Sequence, residues 1–155
     1  MKKSSQEITD TNTVEQILSG GNICRLAMID GNKPYMLSFN YGYRDGCIYI
    51  HSAPEGKKID LIRKNNRVGF EVAEGIEIVQ AEKSCSWSTR YRSVTGDGEV
   101  KIITDPELKK EGLEIIMDQH GAVGPFRFPE GQLERMVILK VEITSLSGKK
   151  STNWD

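Results

Sequence analysis

Three short, β-prone apolar stretches follow one another at residues 23–29, 35–43 and 47–50, and each gap between them is a tight turn. The first gap reads Asp30-Gly31-Asn32-Lys33-Pro34, the second Arg44-Asp45-Gly46. Both supply glycine for the positive φ that hairpin turns need. Consecutive hairpins build antiparallel pairs, because a parallel neighbour requires a long crossover. This order argues against a doubly wound parallel sheet, and with it against a dinucleotide-binding reading of any glycine motif.

The rest of the chain extends the same plan. Thr13-Val14-Glu15-Gln16 reads as a capping box opening a short helix that Gly20-Gly21 ends. Residues 58–64 place Ile59, Leu61 and Ile62 at helical spacing. Residues 68–72 alternate with period two, and 76–81 continue the pattern across Glu74-Gly75. Residues 91–103 form a long strand region in which Gly96 and Gly98 mark a bulge or bend. Asp105-Pro106 starts a helix reaching His120, with Leu108, Leu113, Ile116 and Met117 inward and Gly121 as its stop. Residues 124–131 read as loop, and 136–143 as a last strand alternating Val137, Leu139, Val141 and Ile143. The sum is one domain over residues 1–155: a β-barrel-like α+β fold of six mostly antiparallel strands with two to three short helices.

Composition narrows the function classes. Hydrophobic residues at 37% and charged residues at 28% suit a folded soluble chain. A formal charge of −1 gives no general attraction to nucleic acid or to an anionic membrane. No apolar run approaches the roughly 20 residues of a membrane helix. The opening MKKSSQEITDTNT has no apolar segment after its lysines and does not read as a signal peptide. Cys24, Cys47 and Cys85 are an odd, scattered set that suits a reducing cytoplasm. With two histidines and no C-x-x-C, no metal site is expected.

The stretch "YIHSAPEGKK", residues 49–58, gathers His51, Ser52, Lys57 and Lys58 around one turn. It is not a P-loop: position 51 is His where a Gly is required, and position 58 is Lys where Ser or Thr is required. Thr95-Gly96-Asp97-Gly98 lacks the third glycine of a dinucleotide fingerprint. Two readings remain open from these residues alone. One is an anion site, with a hydroxyl, turn N–H groups and lysines at a helix start. The other is a solvated, lysine-rich helix start.

The blocks "RLAMIDGNKPYMLSFNYGY", "CIYIHSAPEGKKIDLIRKNNRVGFEV", "YRSVTGDGEV" and "VEITSLSGKK" resemble the pyridoxamine 5′-phosphate oxidase-like flavin-binding split barrels. Within that family they are most similar to the nitroimidazole-resistance (Nim-like) branch. The resemblance runs from Gly20 to Lys150 and implies a flavin, FMN or alternatively FAD, bound at a homodimer interface. It assigns Ser52, Lys57 and Lys58 to the flavin phosphate, and Met36, Leu37, Ser38, Phe39 and Asn40 to the isoalloxazine edge. Arg92, Ser93 and Val94 would approach the ring or ribityl chain, in this family often from the partner subunit. His51 would sit beside the flavin as the one catalytic candidate. Authentic pyridoxamine phosphate oxidases carry a late arginine-bearing stretch for the substrate phosphate. This chain has no arginine after Arg135, which disfavours pyridoxal phosphate synthesis.

Two functions follow from the resemblance. The first is an FMN-dependent oxidoreductase passing electrons from a nicotinamide donor, NAD(P)H, or another reductant to a small acceptor such as a nitroimidazole or other nitroaromatic. The second is a protein that binds flavin, or haem through His51, without turnover.

Overall fold

The computed structural model of the chain describes residues 4–154, so Lys2 and Lys3 of the N-terminal reading lie outside the described residues. In chain order the elements are β1 (Glu7–Ile8), α1 (Thr11–Gly20), β2 (Ile23–Asp30), β3 (Lys33–Asn40), β4 (Gly42–Arg44), β5 (Cys47–Ser52) and α2 (Lys57–Lys64). They continue with β6 (Arg67–Val79), β7 (Ser88–Ile103), α3 (Pro106–Gln119), α4 (Glu130–Leu133) and β8 (Val137–Lys150). Every pairing is antiparallel, in the order β3-β2-β6-β7-β8-β5-β4, with β1 added beside β8. The expected six strands are the long ones, and β1 and β4 are two short additions among the described residues. The sheet stays open between β3 and β4, the geometry of a split barrel. No helix among the described residues is long and apolar enough to cross a membrane.

The hairpin signal places β2 against β3 with Asp30 opposite Lys33, leaving Gly31 (φ +60°) and Asn32 as the two-residue turn. Pro34, which has no N–H to give a ladder, sits on the edge strand where that loss costs least. The stretch read as one strand over residues 35–43 breaks after Asn40, and Gly42–Arg44 pairs with β5 at the other sheet edge. Tyr41 causes the break: its ring is fully buried and its hydroxyl donates to Leu18 O at 2.6 Å. The chain crosses there from one edge of the barrel to the other.

Three further expectations are corrected. The cap of α1 is Asp10, whose carboxylate accepts from Thr13 N at 2.8 Å, so Thr13 lies inside the first turn and does not open a capping box. In α3 the buried face is Lys109, Gly112, Ile115 and Ile116, while Leu108 and Met117 are exposed. The sequence-based choice of face was rotated because it discounted a lysine and a glycine. Finally, residues 130–133 of the supposed loop form α4. The expected bulge appears as a register shift between Asp97 and Gly98 in the β7–β8 ladder.

The core has two compartments. Inside the barrel, Ile48, Ile50, Leu139 and Val141 meet Ile17 and Leu18 of α1 and Ile59 and Ile62 of α2. On the opposite face of β5 and β8, Tyr49 and Ile138 pack against Ile115 and Ile116 of α3. That close approach needs glycine: a Cβ on Gly42 would lie 2.7 Å from the Ile115 backbone, and one on Gly112 would lie 3.0 Å from Ile138. Gln119 ties the end of α3 down, accepting from Tyr43 N at 2.6 Å and donating to Gly21 O at 2.6 Å.

Candidate functional site

The turn between β5 and α2 is built around Gly56 (φ +120°), a conformation closed to L side chains. A Cβ there would meet nothing within 4 Å, so the space above the turn is open. Gly56 also leaves α2 without a side-chain cap. The first intrahelical bond is Asp60 N to Gly56 O at 3.1 Å, and the N–H groups of Lys57, Lys58 and Ile59 have no intrahelical acceptor. Two lysines at this end oppose the helix dipole unless an anion lies between.

The lysines differ. Lys57 Nζ lies 2.8 Å from Asp30 Oδ2 and 4.6 Å from the centroid of the Tyr35 ring, so it bridges to the β2–β3 hairpin. The Asp30 hydrogen bond holds its amine above the usual lysine range. Lys58 is half-buried and makes no ion pair among the described residues. Ser52 is buried at the strand end, and its hydroxyl donates to Ala53 O at 2.8 Å. His51 is exposed, with no side-chain hydrogen bond among the described residues.

On β3, Leu37 and Phe39 pack towards the barrel core, whereas Met36, Ser38 and Asn40 face outward. Met36 is 64% exposed. Because β3 pairs only with β2, its far backbone edge carries N–H and C=O groups with no strand partner among the described residues. Lys57 reaches this same strand at Tyr35, so the structure joins the lysine turn to the start of β3.

The outer sheet face also holds a feature that sequence reasoning missed. Met36, Ala27, Gly69 and Asp97 stand in one register row across β3, β2, β6 and β7. Ala27 and Gly69 floor two adjoining clefts, one of about 380 Å³ flanked by Met36, Arg25 and Glu71, the other of about 390 Å³ flanked by Ile29, Arg67 and Asp97. Arg25 and Glu71 form an ion pair at 2.8 Å on its rim. Gly69 in mid-strand was the available sign, since a glycine there marks close approach of another group.

The third set, Arg92, Ser93 and Val94, is not brought to the lysine turn. Lys57 reaches Asp30 of β2 and Tyr35 of β3, one step and more beyond the row that joins Ala27 to Gly69 and Asp97, which is the level of Gly98 on β7 or further. Arg92 is six positions before Gly98 on β7, about 20 Å along an extended strand. Val94 is fully buried in the barrel core and Ser93 is nearly so. Arg92 is ion-paired to Glu74 and lies beneath the Trp154 ring, 4.8 Å from its centroid. Within one chain the expected cofactor residues therefore form two separate groups. Among the described residues no cluster of metal-ligating side chains is present.

The fold and sequence have clear relatives. A candidate 5-nitroimidazole antibiotic resistance protein of Bacteroides thetaiotaomicron VPI-5482 superposes with a TM-score of 0.82 at 30% identity, over 93% of this chain and 86% of that one. An FAD- and haem-binding protein of Mycobacterium smegmatis shares the fold at a TM-score of 0.84 and 20% identity, over 96% of this chain and 75% of that one. The uncharacterised protein RA0666 of Rhizobium meliloti (strain 1021) is 33% identical over 58 residues, 37% of this chain and only 38% of that relative's length. The family model described as pyridoxamine 5′-phosphate oxidase matches residues 10–150, from the cap of α1 to the last residue of β8, and the chain belongs to that family.

Proposed function

We propose that this chain is a flavin-dependent oxidoreductase that holds FMN by its phosphate at the turn before α2 and reduces a small acceptor, with nitroaromatics as the favoured class. The observation that carries the reading is Lys58. It is a half-buried lysine without a carboxylate partner among the described residues, beside three helix N–H groups with no intrahelical acceptor, above an open glycine turn. A phosphate dianion complements that set through charge-assisted hydrogen bonds. When bound, the flavin supplies the hydride and electron chemistry, and the protein supplies binding, orientation and electrostatics.

The residues divide the work. Lys58, Lys57 and the α2 N–H groups hold the phosphate, with Asp30 fixing Lys57 in place. The free backbone edge of β3 holds the polar rim of the ring, and Leu37 and Phe39 stiffen that strand from inside. His51 donates a hydrogen bond or proton to the acceptor. Arg92 acts from a second copy of the chain: it lies six residues along β7 from the level of the lysine turn and makes no contact with that turn. The reading therefore includes a homodimer with two flavins. The half-buried small-residue floor at Ala27 and Gly69, rimmed by the exposed Met36, is the face best suited to that contact.

One alternative rests on a specific observation. The free imidazole of His51 also suits haem iron, which would make the chain a binding protein without turnover. A single experiment separates the two. The purified protein is reconstituted with FMN, reduced anaerobically with NADPH or dithionite, and mixed with a 5-nitroimidazole. Reoxidation of the flavin with loss of the nitro absorbance supports the oxidoreductase. A flavin that stays reduced, or a chain that takes up haem and no flavin, overturns it.

A further inference from the structure

We infer that Trp154 is a positioning residue for Arg92: the segment 151–154 holds that guanidinium ready for a group outside its own chain. Arg92 is anchored on two sides only. Its Nε donates to the Glu74 carboxylate, and its Cζ lies 4.8 Å from the centroid of the Trp154 ring. Both Nη groups make no hydrogen bond among the described residues, and the side chain borders a cleft of about 260 Å³ that Glu7, Asp10, Thr13, Lys150 and Trp154 also line. Arginine–carboxylate pairs are frequently bidentate, with two parallel N–H groups on the carboxylate, whereas Arg92 uses Nε alone on Glu74. Here the fork is left for something else.

The ring that braces it is itself fixed. Ser151 N donates to Tyr91 O at 2.8 Å, and Tyr91 N donates back to Ser151 Oγ at 3.1 Å, which extends the β7 ladder past β8. Arg90 Nη2 donates to Trp154 O at 3.2 Å, and its Cζ stacks 4.2 Å from the same indole. The indole rests on Gly75, at φ +60° beside the irregularity in β6, where a Cβ would lie 2.6 Å from the ring atom Cζ3. A bare glycine, a ring and two guanidiniums thus form one stack. Its effect is preorganisation: Arg92 gives up its rotamer freedom on folding and so loses less on binding.

The inference rests on the proposed function, in which the group received is the flavin of a second copy. FMN dissociation constants, titrated by quenching of flavin fluorescence, are measured for wild type, Trp154→Ala, Trp154→Leu, Trp154→Phe, Arg92→Ala and the Arg92→Ala/Trp154→Ala double variant. Urea midpoints of the apo-proteins are taken alongside. Trp154→Ala and Trp154→Leu should weaken FMN about three- to tenfold, the scale of one cation–π contact. Trp154→Phe should restore most of the affinity, and Trp154→Ala should add nothing once Arg92 is gone. Unchanged affinity in Trp154→Ala, additive losses in the double variant, or Phe behaving like Leu would each overturn the positioning role. If Arg92→Ala binds FMN normally while Lys58→Ala does not, the inference falls and the flavin reading stands. If wild type binds no FMN, the flavin reading falls and takes the inference with it.

Discussion

His51 and Ser52 are consecutive residues of β5, yet they leave the strand on opposite faces: His51 stands opposite Ile138 on the α3 side, and Ser52 opposite Val137 inside the barrel. The two residues cannot serve one ligand in the same way. His51→Ala should leave stability within about 0.5 kcal/mol and keep flavin affinity, since the imidazole is exposed and makes no hydrogen bond among the described residues. It should slow reoxidation of reduced flavin by a nitroimidazole at least tenfold. Ser52→Ala should instead cost about 1 kcal/mol of stability through its lost, part-buried hydrogen bond to Ala53 O. Urea unfolding and single-turnover kinetics read the two effects separately, and equal kinetic rates in wild type and His51→Ala would make the histidine a bystander.

The two lysines should not be equivalent. Lys58→Ala should weaken FMN binding by roughly ten- to a hundredfold, the scale of a lost charge-assisted contact. Lys57→Ala should cost less, because Asp30 already neutralises part of that charge. Asp30→Asn, which removes that competing charge but leaves an amide oxygen to accept from Lys57, should not weaken FMN binding. Isothermal titration of the three variants tests this order, and a larger loss at Lys57 than at Lys58 would reverse the roles given to them.

Gln119 joins three elements with one side chain. Gln119→Leu would leave Tyr43 N, Gly21 O and one acceptor site of Leu18 O without that partner, and should destabilise by about 2–3 kcal/mol. The urea midpoint is the measurement. A shift of a few tenths of a kcal/mol would mean that water replaces the amide.

Gly42→Ala places a methyl group 2.7 Å from the carbonyl carbon of Ile115, with helix backbone that has no rotamer to yield. The expected cost is about 1–3 kcal/mol, paid by moving α3 away from β4. Gly31→Ala serves as a contrast: Gly31 is a turn glycine at φ +60° and nothing lies within 4 Å of its added carbon, so its cost is conformational alone.

Alkaline stability should depend on Cys24. Burial pushes its thiol up from about 9.0 to about 12. Between those values the unfolded chain has lost the proton that the folded chain keeps, so stability is intact below about pH 9 and falls as pH rises towards 12. Burial raises the Tyr43 hydroxyl in the same sense, to about 12, helped by the Glu15 carboxylate beside it. Urea midpoints taken from about pH 8 to about pH 11 should fall in wild type and fall later in Cys24→Ala. Parallel curves would remove the thiol from the account.

Much of this protein is legible in residue order alone. The Asp30-Gly31 and Asp45-Gly46 turns, the period-two runs and Asp105-Pro106 specify local geometry, and local geometry needs no distant partner. The consecutive hairpins therefore fix an antiparallel barrel before any contact is known. The lysine turn is legible for the same reason: Gly56, Lys57 and Lys58 act through backbone conformation and helix polarity within one short stretch.

What the sequence left open depends on registers and faces set at long range. Whether residues 35–43 were one strand or two was decided by Tyr41, whose hydroxyl finds Leu18 O across the barrel. The buried face of α3 was decided by Ile138 and by the room at Gly42 and Gly112, not by apolar spacing. That Lys57 is held by Asp30 while Lys58 makes no ion pair among the described residues followed from where the β2–β3 hairpin lies against α2. Likewise the separation of Arg92 from the lysine turn, and its brace on Trp154 over Gly75, arise from the pairing of Arg92 with Glu74 and Lys150 and from the hydrogen bonds that hold Ser151 on Tyr91. Side chains brought together by sheet pairing carry no mark of it in the sequence, because the pairing free energy is distributed over whole strands and only the folded chain sums it.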